Sequence, residues 1–507
     1  MKHWVRFYFP FSLEQHTDFT NQNAVLNIIQ SLTLNEVAVE LALPVTQTEK
    51  FSQFDTSALW QTARYKTDPR FDDHLSKIFN GRKLSTDHNN AKLPICMQLS
   101  NEGISWLNGG KPGQQGAGLS VSLPNSSVKR LAEQQLSSPL DRTRSWPVKI
   151  NEACCVIFNT SIGVCVIEVA YQSPGNKPQY EIQSALEIQE LNYHLARNKQ
   201  NKQTLQLHWQ SQSEDSGPAV LGLAGLVKTI LPPLNDDSVA ASLTPLHWEN
   251  TYTYTVAELD DSTDDDSFRQ QAFRLARKYT DAYIPSTGQF EGGEYRFFDN
   301  IVHHFAIEGC CTLIRVSKDS PEAIKQFSET ACRMAYEPIV MLVYSELVFL
   351  HAMTQGSNID IDLQHPTEHE LEELRLYRTR LYNYRLNNRF SYVSSLTLHN
   401  DFFQRLRTIF NVDIILKELS TDVQEIEAFI TLHLEEKNQR SLNNVKIVGS
   451  LFAALVLLTD LTGLNLHELF FANPPIPIVM RGVFWGTLVL IIVGFVVMFG
   501  SMKKKWK

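Results

Sequence analysis

The sequence predicts an α/β cytosolic domain, then a long α-helical stalk, then two C-terminal transmembrane helices. Short apolar runs alternate with helical patterns through residues 1–365, enough chain for two subdomains. An apolar seam with alternating three- and four-residue spacing begins at Leu416, and two closely spaced apolar segments end in a lysine cluster. The resulting order is 1–365 α/β, 366–441 stalk, 442–464 first membrane helix, 465–477 connection, 478–502 second membrane helix and 503–507 basic tail.

In the first region, strands are expected at Val37 to Leu43, Leu93 to Leu99, Ala153 to Phe158 and Gly163 to Val169, the last two forming a hairpin around Asn159-Thr160-Ser161-Ile162. The Gly-, Ser- and Gln-rich stretch Asn108 to Ser127 reads as a loop. Its Gly109-Gly110-Lys111-Pro112-Gly113 lacks the Lys-Ser or Lys-Thr pair of a phosphate-cradling loop. A helix from Ile182 to Asn198, a strand from Thr204 to Trp209 and a buried apolar segment from Ala219 to Leu234 follow. The acidic run Glu258 to Asp266 lacks the glycine and distal glutamate of a calcium loop and reads as the start of a helix over Phe268 to Tyr279. Phe305 to Val316 reads as one strand, with His303 and His304 as core or interface residues rather than ligands, and Asp319-Ser320-Pro321-Glu322 reads as a helix start.

Pro366 and the glutamates at 368, 370, 372 and 373 open the first stalk helix, whose arginines continue as a solvated face. The seam Leu416, Leu419, Val423, Ile426 and Ile430 continues in register through His433, Lys437, Arg440, Asn444, Ile447, Leu451, Ala454, Leu458 and Leu461 to Asn465.

Gly482 to Met502 is long enough to cross a hydrocarbon layer of about 30 Å. Ile447 to Thr459 is shorter and lies between Lys446 and Asp460, so that crossing needs both charges at interfaces or in a wet channel. Basic residues flank the outer ends of the pair and the connection carries only Arg481 and Glu468, which places both termini in the cytosol of a multi-pass protein of the inner or plasma membrane.

A formal net charge of −9 argues against a nucleic-acid partner, which needs a concentrated basic surface. Seven cysteines without paired spacing read as reduced thiols, and the broken apolar start Trp4 to Pro10 is too short for a signal peptide. No nucleophile triad, metal-hydrolase spacing or carboxylate pair stands out, so no enzyme activity, catalytic residue or bound cofactor is expected.

Gly463-Leu464-Asn465 between two terminal helices, Leu442-Asn443-Asn444-Val445-Lys446 at the entrance and the closing Lys-Lys-Lys-Trp together resemble the CorA-type divalent-cation transporters of the GxN superfamily. The resemblance covers about Leu416 to Lys507. It implies a homopentamer in a lipid bilayer whose first membrane helix lines a pore, here through Asn444, Ile447, Leu451, Ala454, Leu458 and Leu461. Gly463, Leu464 and Asn465 would form the selectivity loop, with the Asn465 amide contacting hydrated magnesium and Glu468 a weaker metal contact. The sequence departs from the family pattern in Thr462 and Leu464, where Tyr and Met are usual, and in a first membrane helix without proline. Magnesium is the expected transported or regulatory ion. The alternatives are an effector gated by a nucleotide or other small-molecule regulator on a CorA-like pore, and a membrane-tethered scaffold without flux.

Overall fold

The computed structural model describes residues 1–13, 60–79, 94–108, 119–134, 145–172, 184–197, 205–207, 219–231, 243–260, 263–279, 286, 292–356, 367–387, 390–462, 485, 486 and 489. The chain divides into two compact units, Met1–Thr421 and Asp422–Lys507, and the division falls within the segment 366–441. The expected strand at Val37 to Leu43 and the glycine-rich Gly109 to Gly113 lie outside the described residues.

The first unit is built on a mixed sheet centred on strand β1 (His3–Leu13). On one side β1 pairs antiparallel with β6 (Ile162–Tyr171), and on the other with β10 (Tyr252–Asp260) and β9 (Leu243–Pro245). Beyond β6 come β5 (Ser145–Ile157), β4 (Leu119–Ser122), β7 (Leu205–Leu207) and β8 (Ala219–Leu221), while β3 (Ile95–Leu99) joins β5 to β2 (Trp60–Thr62). Beyond β10 come β13 (Gly309–Val316), β12 (Ile301–Phe305) and β11 (Glu294–Phe298). β10 and β13 run parallel, which requires a crossover. Helix α6 (Asp265–Arg277) lies on that path and packs on β12 and β13.

Alternate side chains of a strand face opposite sides, and β1 is covered on both. Val5, Phe7, Phe9 and Phe11 share an apolar core with Ile167 and Val169 of β6, with Ile188 and Leu191 of α4 (Ala185–Ala196) and with Phe268 and Leu275 of α6. Trp4, Arg6 and Tyr8 face the other way, toward α8 (Glu337–Gly356) and the π-helical turn Cys332–Tyr336 that leads into it. Double coverage explains why the segment from Trp4 to Phe11 is apolar at nearly every position.

That second face holds a buried ion network. The Arg6 guanidinium donates to Glu168 at 3.0 Å, Glu152 at 2.8 Å and Glu337 at 2.9 Å. Arg333, placed by the π-helical turn, also donates to Glu168 and to Glu329. Glu337 additionally accepts from the hydroxyls of Tyr8 at 3.2 Å and Tyr65 at 2.5 Å. Trp4 lies against both guanidinium groups. Of the six charged groups so joined, Arg6, Glu168 and Glu337 are buried and need these partners, while Glu152, Glu329 and Arg333 keep part of their side chains in solvent. Burial alone would raise the Glu168 carboxyl, but Arg6 and Arg333 outweigh it and hold the group below its usual range.

Most expected elements form with shifted ends. The hairpin occupies β5 and β6 with Ser161 in the left-handed region at φ 64°, and the helix expected from Ile182 is α4. The strand from Thr204 shortens to β7, and the segment from Ala219 becomes β8 and the helix α5 (Leu223–Ile230), whose Leu226, Val227 and Ile230 are buried. Two expectations are corrected. The loop assigned to Asn108 to Ser127 contains β4 and the start of helix α3 (Asn125–Gln134), because Leu119 and Val121 alternate with serines and β5 and β7 pair with that short run. The strand from Phe305 to Val316 is two strands, β12 and β13, which turn back on each other through Ala306 and Gly309. Gly309 permits the close pairing of β13 with β10, since a Cβ there would lie 2.6 Å from the Thr253 hydroxyl. The Asp319 to Glu322 start yields only the one-turn helix α7 (Glu322–Lys325).

Two measurements check this core. Gly163 lies opposite Phe11, and a Cβ there would fall 2.1 Å from its ring. Gly163→Ala is expected to cost about 1–3 kcal/mol by overpacking, seen as a lower melting temperature of the solubilised full chain. The lowered carboxyl of Glu168 stabilises the fold above the pKa of an unfolded glutamate, and this contribution is lost as pH falls through the native value. Wild-type stability should therefore fall more steeply than that of Glu168→Gln as the pH drops below the usual glutamate range, in denaturant titrations.

Candidate functional site

The candidate site is the long helix α11 (Val412–Thr462) and the buried cluster at its root. Its 51 residues span about 76 Å at 1.5 Å per residue. It follows helix α10 (Thr397–Ile409) after a break at Asn411, whose φ of 54° suits asparagine better than most residues. The Asn411 carbonyl accepts from the amides of Ile414 and Ile415, starting the new helix.

Arg407 of α10 holds that root. One guanidinium nitrogen donates to Glu346 of α8 at 2.5 Å and another to Asp413, in the first turn of α11, at 2.8 Å. Tyr384 of α9 (Glu368–Asn387) donates to the other Glu346 oxygen at 2.8 Å. Four helices thus meet through one arginine, one tyrosine and two carboxylates. Burial pushes the Glu346 carboxyl up while Arg407 and Tyr384 pull against it, and Glu346 with Asp413 keeps the Arg407 guanidinium charged despite its own burial. The small cavity beside Glu346, lined in part by Ile78, Phe158 and Leu342, has no room for an organic ligand.

Further along α11, Leu416, Leu419, Val423 and Ile430 of the seam read from the sequence are buried, and Ile426 is half-buried. From Thr431 onward the described side chains are exposed, apart from half-buried His433 and Ile447. The exposed set includes Val445, Val448, Phe452, Val456 and Leu457. A helix with large apolar groups exposed on several sides is suited to lipid or to other helices.

Of the expected pore-lining residues, all lie on α11. Asn444 and Ala454 are exposed and Ile447 is half-buried, while the side chains of Leu451, Leu458 and Leu461 are outside the described set. Gly463, Leu464, Asn465 and Glu468 lie outside the described residues, as does the second membrane segment except Trp485, Gly486 and Val489. Trp485 and Val489 are exposed.

Among the described residues, one helical stretch is long and apolar enough to cross a membrane, Cys332–Gln355, and 83% of its apolar window is buried within the first unit. Sequence reasoning did not single out this helix. Its two glutamates, Glu337 and Glu346, inside an otherwise apolar run were the available signal for buried ion pairs.

The remaining sequence candidates have structural roles. Asp264 caps α6 by accepting from the Ser267 amide at 2.9 Å, and Asp265 pairs with Arg296 and Arg315, each at 2.9 Å. His303 and His304 are buried, and burial pushes each imidazole down to about 3. All seven cysteines are free and buried. Among the described residues no group of three or more His, Cys, Asp or Glu side chains is placed to hold a metal ion.

No family model matches the sequence, and no curated protein matches it. Among solved structures, the CorA magnesium transporter of Methanocaldococcus jannaschii aligns with 51% of this chain and 94% of its own, at 13% identity and a TM-score of 0.19.

Removing Arg407 leaves the Glu346 carboxylate buried without its cation. Arg407→Ala should cost about 3–5 kcal/mol in denaturant unfolding of the full chain, whereas the double variant Arg407→Met with Glu346→Leu should recover most of that loss.

Proposed function

We propose that this chain is a CorA-type channel or transporter for divalent cations, magnesium first among them, assembled as a homopentamer in a lipid bilayer. The observation that carries the reading is α11: one unbroken helix runs from the α/β unit to Thr462, directly before Gly463-Leu464-Asn465, and exposes Val448, Phe452, Val456 and Leu457 along its last turns. Water does not stabilise such a surface, whereas a hydrocarbon layer does. The apolar segment 478–502 and the closing lysines supply a return crossing, with both termini in the cytosol.

Magnesium gives up its water reluctantly, so a selective mouth must recognise the hydrated ion. A ring of Asn465 amides offers acceptor oxygens to coordinated waters without replacing them. Glu468, beyond that ring, adds a carboxylate that raises the local cation concentration.

Magnesium uptake by vesicles containing the purified full chain tests the reading. Wild-type protein should admit the ion, and Asn465→Ala should reduce uptake at least tenfold while the assembly elutes unchanged by size. Uptake no faster than in empty vesicles would reject the transporter, and undiminished uptake by Asn465→Ala would reject the amide ring.

A further inference from the structure

We infer that the last turn of α6 and the Gly292-Gly293 turn before β11 form a binding site for a small oxyanion, a phosphate or a carboxylate, held by Arg277 and His304. The inference is independent of the transporter reading, because it rests on side chains of the first unit alone.

One face of α6 lies along the β11–β12 hairpin and carries Arg269, Phe273 and Arg277 one helical turn apart. Arg269 pairs with Glu294 of β11 at 2.7 Å, and the Phe273 ring meets the His304 ring of β12 edge-on at 5.1 Å between centroids. Glu294 and His304 are direct partners across the two strands, so their side chains stand next to each other on one side of the sheet. Arg277 continues this row, with its guanidinium over the Phe273 ring at 4.9 Å. Arg269 therefore has its carboxylate, whereas among the described residues none is paired with Arg277.

The unmatched arginine lies near an unmatched histidine. The Nε of Arg277 and the Nε2 of His304 are both buried without a hydrogen-bond partner, and His304 is only 1% exposed. Its neighbour His303 is as deeply buried, but there Nδ1 meets the Thr312 hydroxyl at 2.8 Å. Burial first, and then the Arg277 charge, keep the His304 ring neutral, so it has one N–H to donate. A buried donor without an acceptor costs stability, and two donors beside the same aromatic ring call for a shared acceptor. A water would accept from them but leave the guanidinium charge uncompensated, whereas an oxyanion supplies acceptor atoms and the missing charge together.

The backbone beside these donors leaves an approach. Gly293 passes over the imidazole so closely that a Cβ there would lie 3.0 Å from Nε2, and the Phe305 amide, donating to the Gly293 carbonyl at 2.8 Å, fixes that position. The adjoining Gly292 is exposed, and nothing lies within 4 Å of the place its Cβ would take. The two glycines thus cover the imidazole with backbone alone, a cover open to an ion of a few atoms.

Thermal unfolding of the solubilised full chain at neutral pH and constant ionic strength, with inorganic phosphate, acetate or chloride added, tests the site. An ion that binds only the folded chain raises the melting temperature and saturates. Phosphate or acetate should do so beyond the chloride reference, and the one that does identifies the bound group. Phosphate also stabilises proteins generally by exclusion from their surface, so the comparison with variants decides. Arg277→Gln should raise the half-saturating concentration about tenfold or more. His304→Phe, which replaces the donor by an apolar ring, should weaken the response in the same direction; if that variant does not fold, the Arg277→Gln comparison carries the test by itself. A wild-type chain no more stabilised by phosphate or acetate than by chloride would overturn the site, as would an unchanged response in Arg277→Gln.

Discussion

The first unit depends on burying the two carboxylates of α8, Glu337 and Glu346, about two and a half turns apart on a helix that is otherwise apolar. Neither charge can be desolvated without a partner, and each partner comes from a distant part of the chain. Arg6 brings the central strand to Glu337, and Arg407 brings α10 and the root of α11 to Glu346. One helix therefore ties the sheet to the start of the long helix through two ion pairs. The apolar packing on either side would tolerate small slips, whereas these hydrogen bonds set the register.

This arrangement also explains why the most membrane-like helix among the described residues is a core helix. Its hydropathy comes from residues such as Ile339, Val343 and Leu350, which are buried against the sheet and neighbouring helices. α11 is different in kind. Its seam is covered near the root, and the described part of its apolar C-terminal half stays exposed, so similar composition gives a buried core in one helix and an uncovered surface in the other.

Hydrophobic periodicity reports that a side of a helix is covered without saying by what. At the root of α11 it marked Leu416 and Leu419, and both are buried within the first unit.

The sequence by itself determined the elements whose cause is local. The hairpin of β5 and β6, the helices α4 and α6, the acidic cap at Asp264 and the seam at Leu416, Leu419, Val423 and Ile430 follow from periodicity, turn chemistry and capping. Asn465 ends the periodic register, but its role at a pore mouth came only from the resemblance. Tertiary structure alone decided that polar Leu119 to Ser122 is a strand, since that depends on β5 and β7 lying beside it. It likewise decided that Arg6 and Arg407 find carboxylates 162 and 61 residues away, at Glu168 and Glu346. Such pairs leave no periodic trace, because an ion pair is selected by distance in space and the cost of desolvation, not by separation along the chain.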